Sequence, residues 1–141
     1  RQALRMVTAM ERMGDLAAHV AKIARMRFPE RAVPDDLQPN FERMAKLADQ
    51  MIAKAGDTLR TRDVAVAAEL ATIDEEMDEL RRDQFRILLD DDWAHGIEAA
   101  VDVALLGRYY ERIADHAVSL GRRVAFVVTG EKDDRATWSS S

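Results

Sequence analysis

Met6, Ala9, Met13, Leu16, Ala17, Val20 and Ala24 recur at three- and four-residue intervals, which lays them along one stripe of an α-helix. The pattern predicts a first helix over residues 1–28. It stops at PERAVPDDLQP, where Pro29, Pro34 and Pro39 each remove a backbone donor and push the preceding residue out of helical geometry, so residues 29–39 read as a linker. Phe41, Met44, Leu47, Met51 and Leu59 mark a second helix ending near Arg60, and Thr61 or Asp63 can cap the next. Val66, Leu70, Ile73, Met77, Leu80 and Leu88 trace a third, ending near the triplet Asp90, Asp91 and Asp92. Asp92 suits the N-cap of a fourth helix that starts at Trp93 and runs through Leu106, Tyr109, Ile113, Leu120 and Val124. Gly130 supplies a left-handed stop, and residues 131–141 hold too little apolar content to order themselves.

Composition narrows this all-α reading. With 141 residues, the chain is one domain or slightly less, and 6 Gly and 3 Pro leave few turns between long helices. Cysteine is absent, which excludes disulfides and Cys-based metal or nucleophile sites. No apolar run reaches the roughly 18 residues that span a bilayer, so a cytoplasmic protein is expected. A net charge of −5 without a basic tract argues against nucleic acid as a partner, since phosphate counterions are displaced by clustered Lys and Arg. The first helix opens without a cap or an initiator Met, which leads us to expect a fragment of a longer protein.

One segment occurs twice. MERMGDLAAHVAK aligns with YERIADHAVSLGR about one hundred residues later, so that Glu11, Arg12, Asp15 and Ala17 coincide with Glu111, Arg112, Asp115 and Ala117. This offset fits a repeat unit of three long helices, of which the chain holds the last helix of one and all of the next. At about 100° per residue, Glu111 and Asp115 fall about 160° from Ile113, and Glu11 and Asp15 lie likewise around Met13. Both pairs are therefore expected to face away from the core. Asp74 and Asp78, within IDEEMDEL, sit about 100–140° from Ile73, on a flank that another helix can approach.

A solvated face is the ordinary explanation of such acids, with Arg81 and Arg82 available to Asp78 and Arg108 to Glu111. Yet like charges spaced i, i+4 destabilise a helix by about 0.2–0.5 kcal/mol, and the pattern appears three times. Carboxylates one turn apart on adjacent helices can bridge hard cations. The metal candidates are thus Asp74, Asp78, Glu111, Asp115, Glu11 and Asp15, with His19 a possible accessory ligand. His116 leans toward the apolar side as a core or interface histidine, and Asp92 with His95 is better explained by capping. No catalytic or cofactor-binding residue is assigned: the Glu-x-x-His pairs of a di-iron enzyme, the phosphate loop and the Gly-x-Ser-x-Gly elbow are all missing from the sequence.

The blocks ERMGDLAAHVAK, DEEMDELRRDQF and YYERIADHAVSLGRRVAFVVTGE resemble the PhoU family of phosphate-signalling proteins, and the Ala- and Arg-rich composition is similar to its actinobacterial members. The resemblance implies two three-helix bundles side by side. Residues 1–28 then correspond to the last helix of the first bundle and residues 40–130 to the whole second bundle. It implies surface clusters of iron, zinc or similar transition-metal ions on E/D-x-x-x-D motifs, carried here by Asp74 with Asp78 and Glu111 with Asp115. Glu11 with Asp15 matches the same motif in a bundle whose other helices are missing. His19 and Ser119 stand where the family often has Asn. The role implied is non-enzymatic: a negative regulator of phosphate uptake and of the phosphate-starvation response. Its partners would be the cytoplasmic side of a phosphate ABC transporter and a sensor histidine kinase, so that it meets the membrane through them alone. The rivals are a carboxylate-bridged di-metal enzyme and a purely structural helical module. Because the apolar stripe of the first helix lacks its partner helices, a homodimer with exchanged or paired first helices is expected.

Overall fold

A computed structural model of the chain describes residues 1–27 and 32–130, so the predicted unstructured tail and part of the predicted linker, residues 28–31, lie outside the described residues. Four long helices follow one another: α1 (Gln2–Arg27), α2 (Gln38–Thr61), α3 (Val64–Leu88) and α4 (Gly96–Thr129), with a short 3-10 turn at Asp35–Leu37 leading into α2. Among the described residues there is no strand. Among the described residues no helix is long and apolar enough to cross a membrane.

The connections are short because the local sequence supplies their stops and starts. Arg62 takes the left-handed conformation at φ 57° and donates its N–H to Thr58 O at 2.8 Å, closing α2 without the usual glycine. Asp63 then caps α3, accepting from Ala65 N at 2.9 Å. Pro39 sits inside the first turn of α2, where its missing N–H costs nothing, so that helix begins before Phe41. The predicted start of α4 at Trp93 is corrected. Residues 90–93 form a tight turn in which Asp90 Oδ1 accepts Asp92 N at 2.8 Å and Asp90 O accepts Trp93 N at 3.0 Å. Asp92 is spent in this turn, His95 is the residue preceding the helix, and Gly96 opens it at φ 87°. At the other end Gly130, at φ 70°, is the left-handed stop its position predicts.

Helices α2, α3 and α4 form an antiparallel three-helix bundle, and α4 is its centre because α1 packs along it as well. Phe41, Met44, Leu47 and Met51 of α2 meet Leu70 and Met77 of α3 and Ile113, Val118 and Leu120 of α4 in one core. Met6, Ala9 and Met13 of α1 join this core, Met13 being fully buried. The first half of the stripe expected to need a second copy is covered within its own chain, whereas Leu16 and Val20 are half-buried and Ala17 and Ala24 exposed. A bidentate ion pair fixes the far end of α1, from Arg27 Nε and Nη2 to the buried Asp102 carboxylate at 2.6 and 3.0 Å. Glu98 adds a contact to Arg27 at 3.1 Å.

Since Met13 fills the α1–α4 seam completely, Met13→Ala should lower the free energy of unfolding by about 2–5 kcal/mol. Chemical denaturation monitored by circular dichroism measures this, and a loss below about 1 kcal/mol would mean that α1 does not belong to the cooperative unit.

Candidate metal centre in the α3–α4 seam

The buried face of α3 carries Ala67, Leu70, Ala71, Asp74, Met77, Arg81 and Gln84. It is rotated from the stripe through Ile73 and Leu80, which are only partly buried, because α3 is held between α2 and α4 and buries a wide arc. Asp74 is consequently 1% exposed and lies inside the protein. On α4 the expected outward orientation of Glu111 and Asp115 is likewise corrected. With three helices around it, α4 leaves little free surface; Asp115 is half-buried and the Glu111 side chain is 26% exposed.

Asp74, Asp78, Glu111 and Asp115 face one another across this seam closely enough that each of the other three destabilises an ionised Asp74. Both carboxylate oxygens of Asp74 are buried without a hydrogen-bond partner. Its pKa is pushed up to about 7, first by burial, then by repulsion from Asp78 and Asp115 and, least, from Glu111, while Arg122 acts in the opposite direction. Asp115 is raised as well, chiefly by burial and by Glu111. A buried carboxyl with no donor to satisfy it, beside three further carboxyls, is a set of hard oxygen ligands. Among the described residues, however, no group of three or more His, Asp or Glu side chains stands ready to hold a metal ion.

The reason lies in the arginines. Glu111 pairs with Arg108 one turn before it and lies 3.8 Å from Arg81 Nε, so it is turned toward cations rather than toward Asp74. Arg81 is itself 8% exposed; it donates to Gln84 Oε1 at 3.1 Å and to Ala104 O at 3.3 Å and covers the Phe85 ring at 4.2 Å. Burial lowers its pKa from the ordinary arginine value, and Glu111 opposes that shift. Gln84 carries the network on to Asn40 of α2 at 2.6 Å. Gly107 makes this arrangement possible, because a Cβ there would stand 2.0 Å from Arg81 Nη1 and 2.3 Å from Gln84 Oε1. Sequence reasoning missed Arg81, Arg122 and Gly107 as parts of the site. The spacing of Asp115 and Arg122, seven residues and two turns apart on one face of α4, was the available signal.

The remaining candidates lie elsewhere. Glu11 and Asp15 are exposed on α1. His19 stacks on Tyr109 with ring centroids 5.4 Å apart. His95 contacts Asp36 at 3.2 Å and meets the Trp93 ring edge-on at 4.9 Å. His116 is half-buried between α1 and α4, as its lean toward the apolar side suggests.

The sequence of residues 41–124 matches the PhoU domain model. The chain is 47% identical over 128 residues to the phosphate-specific transport system accessory protein PhoU homolog 1 of Mycobacterium leprae, covering 91% of this chain and 58% of the relative. It is 46% identical to PhoU homolog 2 of Mycobacterium tuberculosis, with 60% of that protein covered, and 30% identical to a PhoU homolog of Deinococcus radiodurans, with 61% covered. The chain thus spans less than two thirds of the length of these relatives. No solved structure matches it.

Two outcomes follow from the seam. Between pH 3.8, the ordinary Asp value, and about 7, folded protein retains a proton on Asp74 that unfolded protein gives up. The stability of metal-free protein should therefore fall as pH rises through that window, by up to about 1.4 kcal/mol per pH unit from this group. Asp74→Asn should flatten the fall and raise the thermal midpoint at pH 8; an unchanged pH profile in the variant would refute the assignment. Gly107→Ala, although it adds helix propensity, should destabilise by about 1–3 kcal/mol by displacing the Arg81 and Gln84 head groups, as read by urea denaturation.

Proposed function

The chain belongs to the PhoU domain family, and on that premise we propose that it acts as a regulatory accessory protein of a phosphate-specific transport system. Its relatives carry that description across 91% of this chain, and this similarity carries the reading. In this role the protein is a negative regulator. It docks at the cytoplasmic face of a phosphate ABC transporter and on a sensor histidine kinase, and restrains both when phosphate is plentiful. It catalyses no reaction; its helical faces offer surfaces and its acids a cation site. Residues 1–28 are assigned to a first repeat and residues 40–130 to a second.

Asp74, Asp78, Glu111 and Asp115 are the residues that would hold a metal ion, with Glu11 and Asp15 the related motif on α1. The buried, unpartnered carboxylate of Asp74 is the observation favouring this set. A bound cation supplies the positive charge that lets neighbouring carboxylates ionise together, replacing the proton otherwise kept on Asp74. To join it, Glu111 must leave Arg108. An all-oxygen set suits hard cations such as ferric iron or manganous ion better than zinc.

Two measurements test the parts separately. Ferric or manganous ion at one hundred times its dissociation constant should add about 2.7 kcal/mol of stability to wild type, and little to Asp74→Asn or Asp115→Asn; identical thermal shifts in all three would remove the metal site. Cells lacking the protein should keep taking up phosphate in replete medium, and wild-type protein should restore restraint. Uptake that is indifferent to its presence would remove the regulatory role.

A further inference from the structure

About a quarter-turn round α4 from Glu111 and Asp115, the α1–α4 junction opens into a groove of about 290 Å³. Two rows of side chains at the same i, i+3, i+7 spacing border it: Arg5, Thr8 and Arg12 on α1, and His116, Ser119 and Arg123 on α4. Each row is a base, a hydroxyl and a base. The helices run antiparallel, with Met6 beside Val124 at one end and Arg27 on Asp102 at the other, so the rows face each other in reverse order. The groove therefore places Arg12 near His116.

No carboxylate lines the groove, although the chain carries 26 acidic against 21 basic residues. Among the described residues, Arg5, Arg12 and Arg123 make no side-chain hydrogen bond or ion pair, as is also true of Arg1, Arg25, Arg62, Arg82 and Arg112; what sets the three apart is that they line one groove. Three uncompensated guanidiniums repel one another across a narrow cleft, and an anion placed among them gains from all three. Guanidinium presents paired N–H donors that match phosphoryl oxygens, and the Ser119 hydroxyl makes no hydrogen bond elsewhere. The length of the rows selects the anion. Seven residues of helix rise about 10 Å, more than one phosphoryl group spans.

We propose that the α1–α4 groove binds a condensed phosphate, an anion of two or more linked phosphoryl groups, through Arg5, Arg12 and Arg123 with Ser119 as a further donor. The site stands apart from the acidic seam and does not depend on metal. The ligand's source is either an inorganic chain or the diphosphate of an organic molecule.

Calorimetric titration of the full chain, stripped of metal with a chelator that is then dialysed away, tests this with pyrophosphate, tripolyphosphate, ADP, orthophosphate and sulfate at 150 mM salt. The expected result is saturable one-to-one binding of pyrophosphate or tripolyphosphate at least tenfold tighter than orthophosphate or sulfate. Arg12→Gln and Arg123→Gln should each weaken it at least tenfold, and Ser119→Asp should abolish it, while Arg82→Gln on exposed α3 surface leaves it unchanged. Circular dichroism confirms the fold of each variant. ADP binding more tightly than pyrophosphate supports the site and assigns the organic source. Absence of binding at millimolar ligand, equal affinity for sulfate and pyrophosphate, or affinity unaltered in both arginine variants would overturn it.

Discussion

The close approach of α3 to α4 is the constraint from which the site follows. Small residues make it possible. At Gly121 an added Cβ would sit 3.1 Å from Leu70 Cδ1 and 3.2 Å from the Ala67 carbonyl, and Ala67, Ala71, Ala114 and Ala117 are all buried nearby on the two helices. With backbones this near, a side chain on the facing surfaces cannot turn to water. Asp74 is trapped there by register alone, since it continues the face that carries Ala67, Leu70 and Ala71. Its raised pKa is thus a product of glycine and alanine packing one to three turns away.

The seam also explains why opposite charges are treated unequally. Arg81 is buried and yet has a carbonyl, an amide, a ring and a carboxylate around its guanidinium. Asp74 is buried more deeply and has no hydrogen bond. A buried cation with partners helps to fix how α2, α3 and α4 meet, through Gln84 and Asn40, whereas a buried acid without them costs stability unless it is protonated or meets a cation. The two groups share Glu111 as a neighbour, so the position of that side chain distributes negative charge between a structural network and a vacancy in charge.

How far the sequence discloses this varies by element. The helix count, the Asp63 cap, the Gly130 stop and the family blocks are legible because each depends on neighbours within a few residues. The pairing of Asp74 and Asp78 with Glu111 and Asp115 is legible from the motif. Depth is not, because a helical wheel drawn around one apolar stripe assumes a single buried face, and α4 has three helices against it. The same assumption leaves α1 uncovered on paper, while Met6, Ala9 and Met13 in fact dock on α4. The start of α4 escapes because three successive aspartates each have capping chemistry, and only the turn geometry decides which one uses it. Gly107 reads as a tolerated defect in a helix until the guanidinium beside it is seen.

The first helix is attached by unlike means at its two ends. Met6, Ala9 and Met13 hold one half by burial of apolar surface, and Arg27 holds the other through a carboxylate pair on Asp102 and Glu98. Added salt screens the second attachment, and a strongly excluded salt such as sulfate strengthens the first. Ionic conditions therefore set the direction in which α1 peels: from its amino end in dilute buffer, from its carboxyl end in concentrated sulfate. A helix fastened in this way turns the composition of the surrounding solution into a choice of which end of the bundle is laid bare.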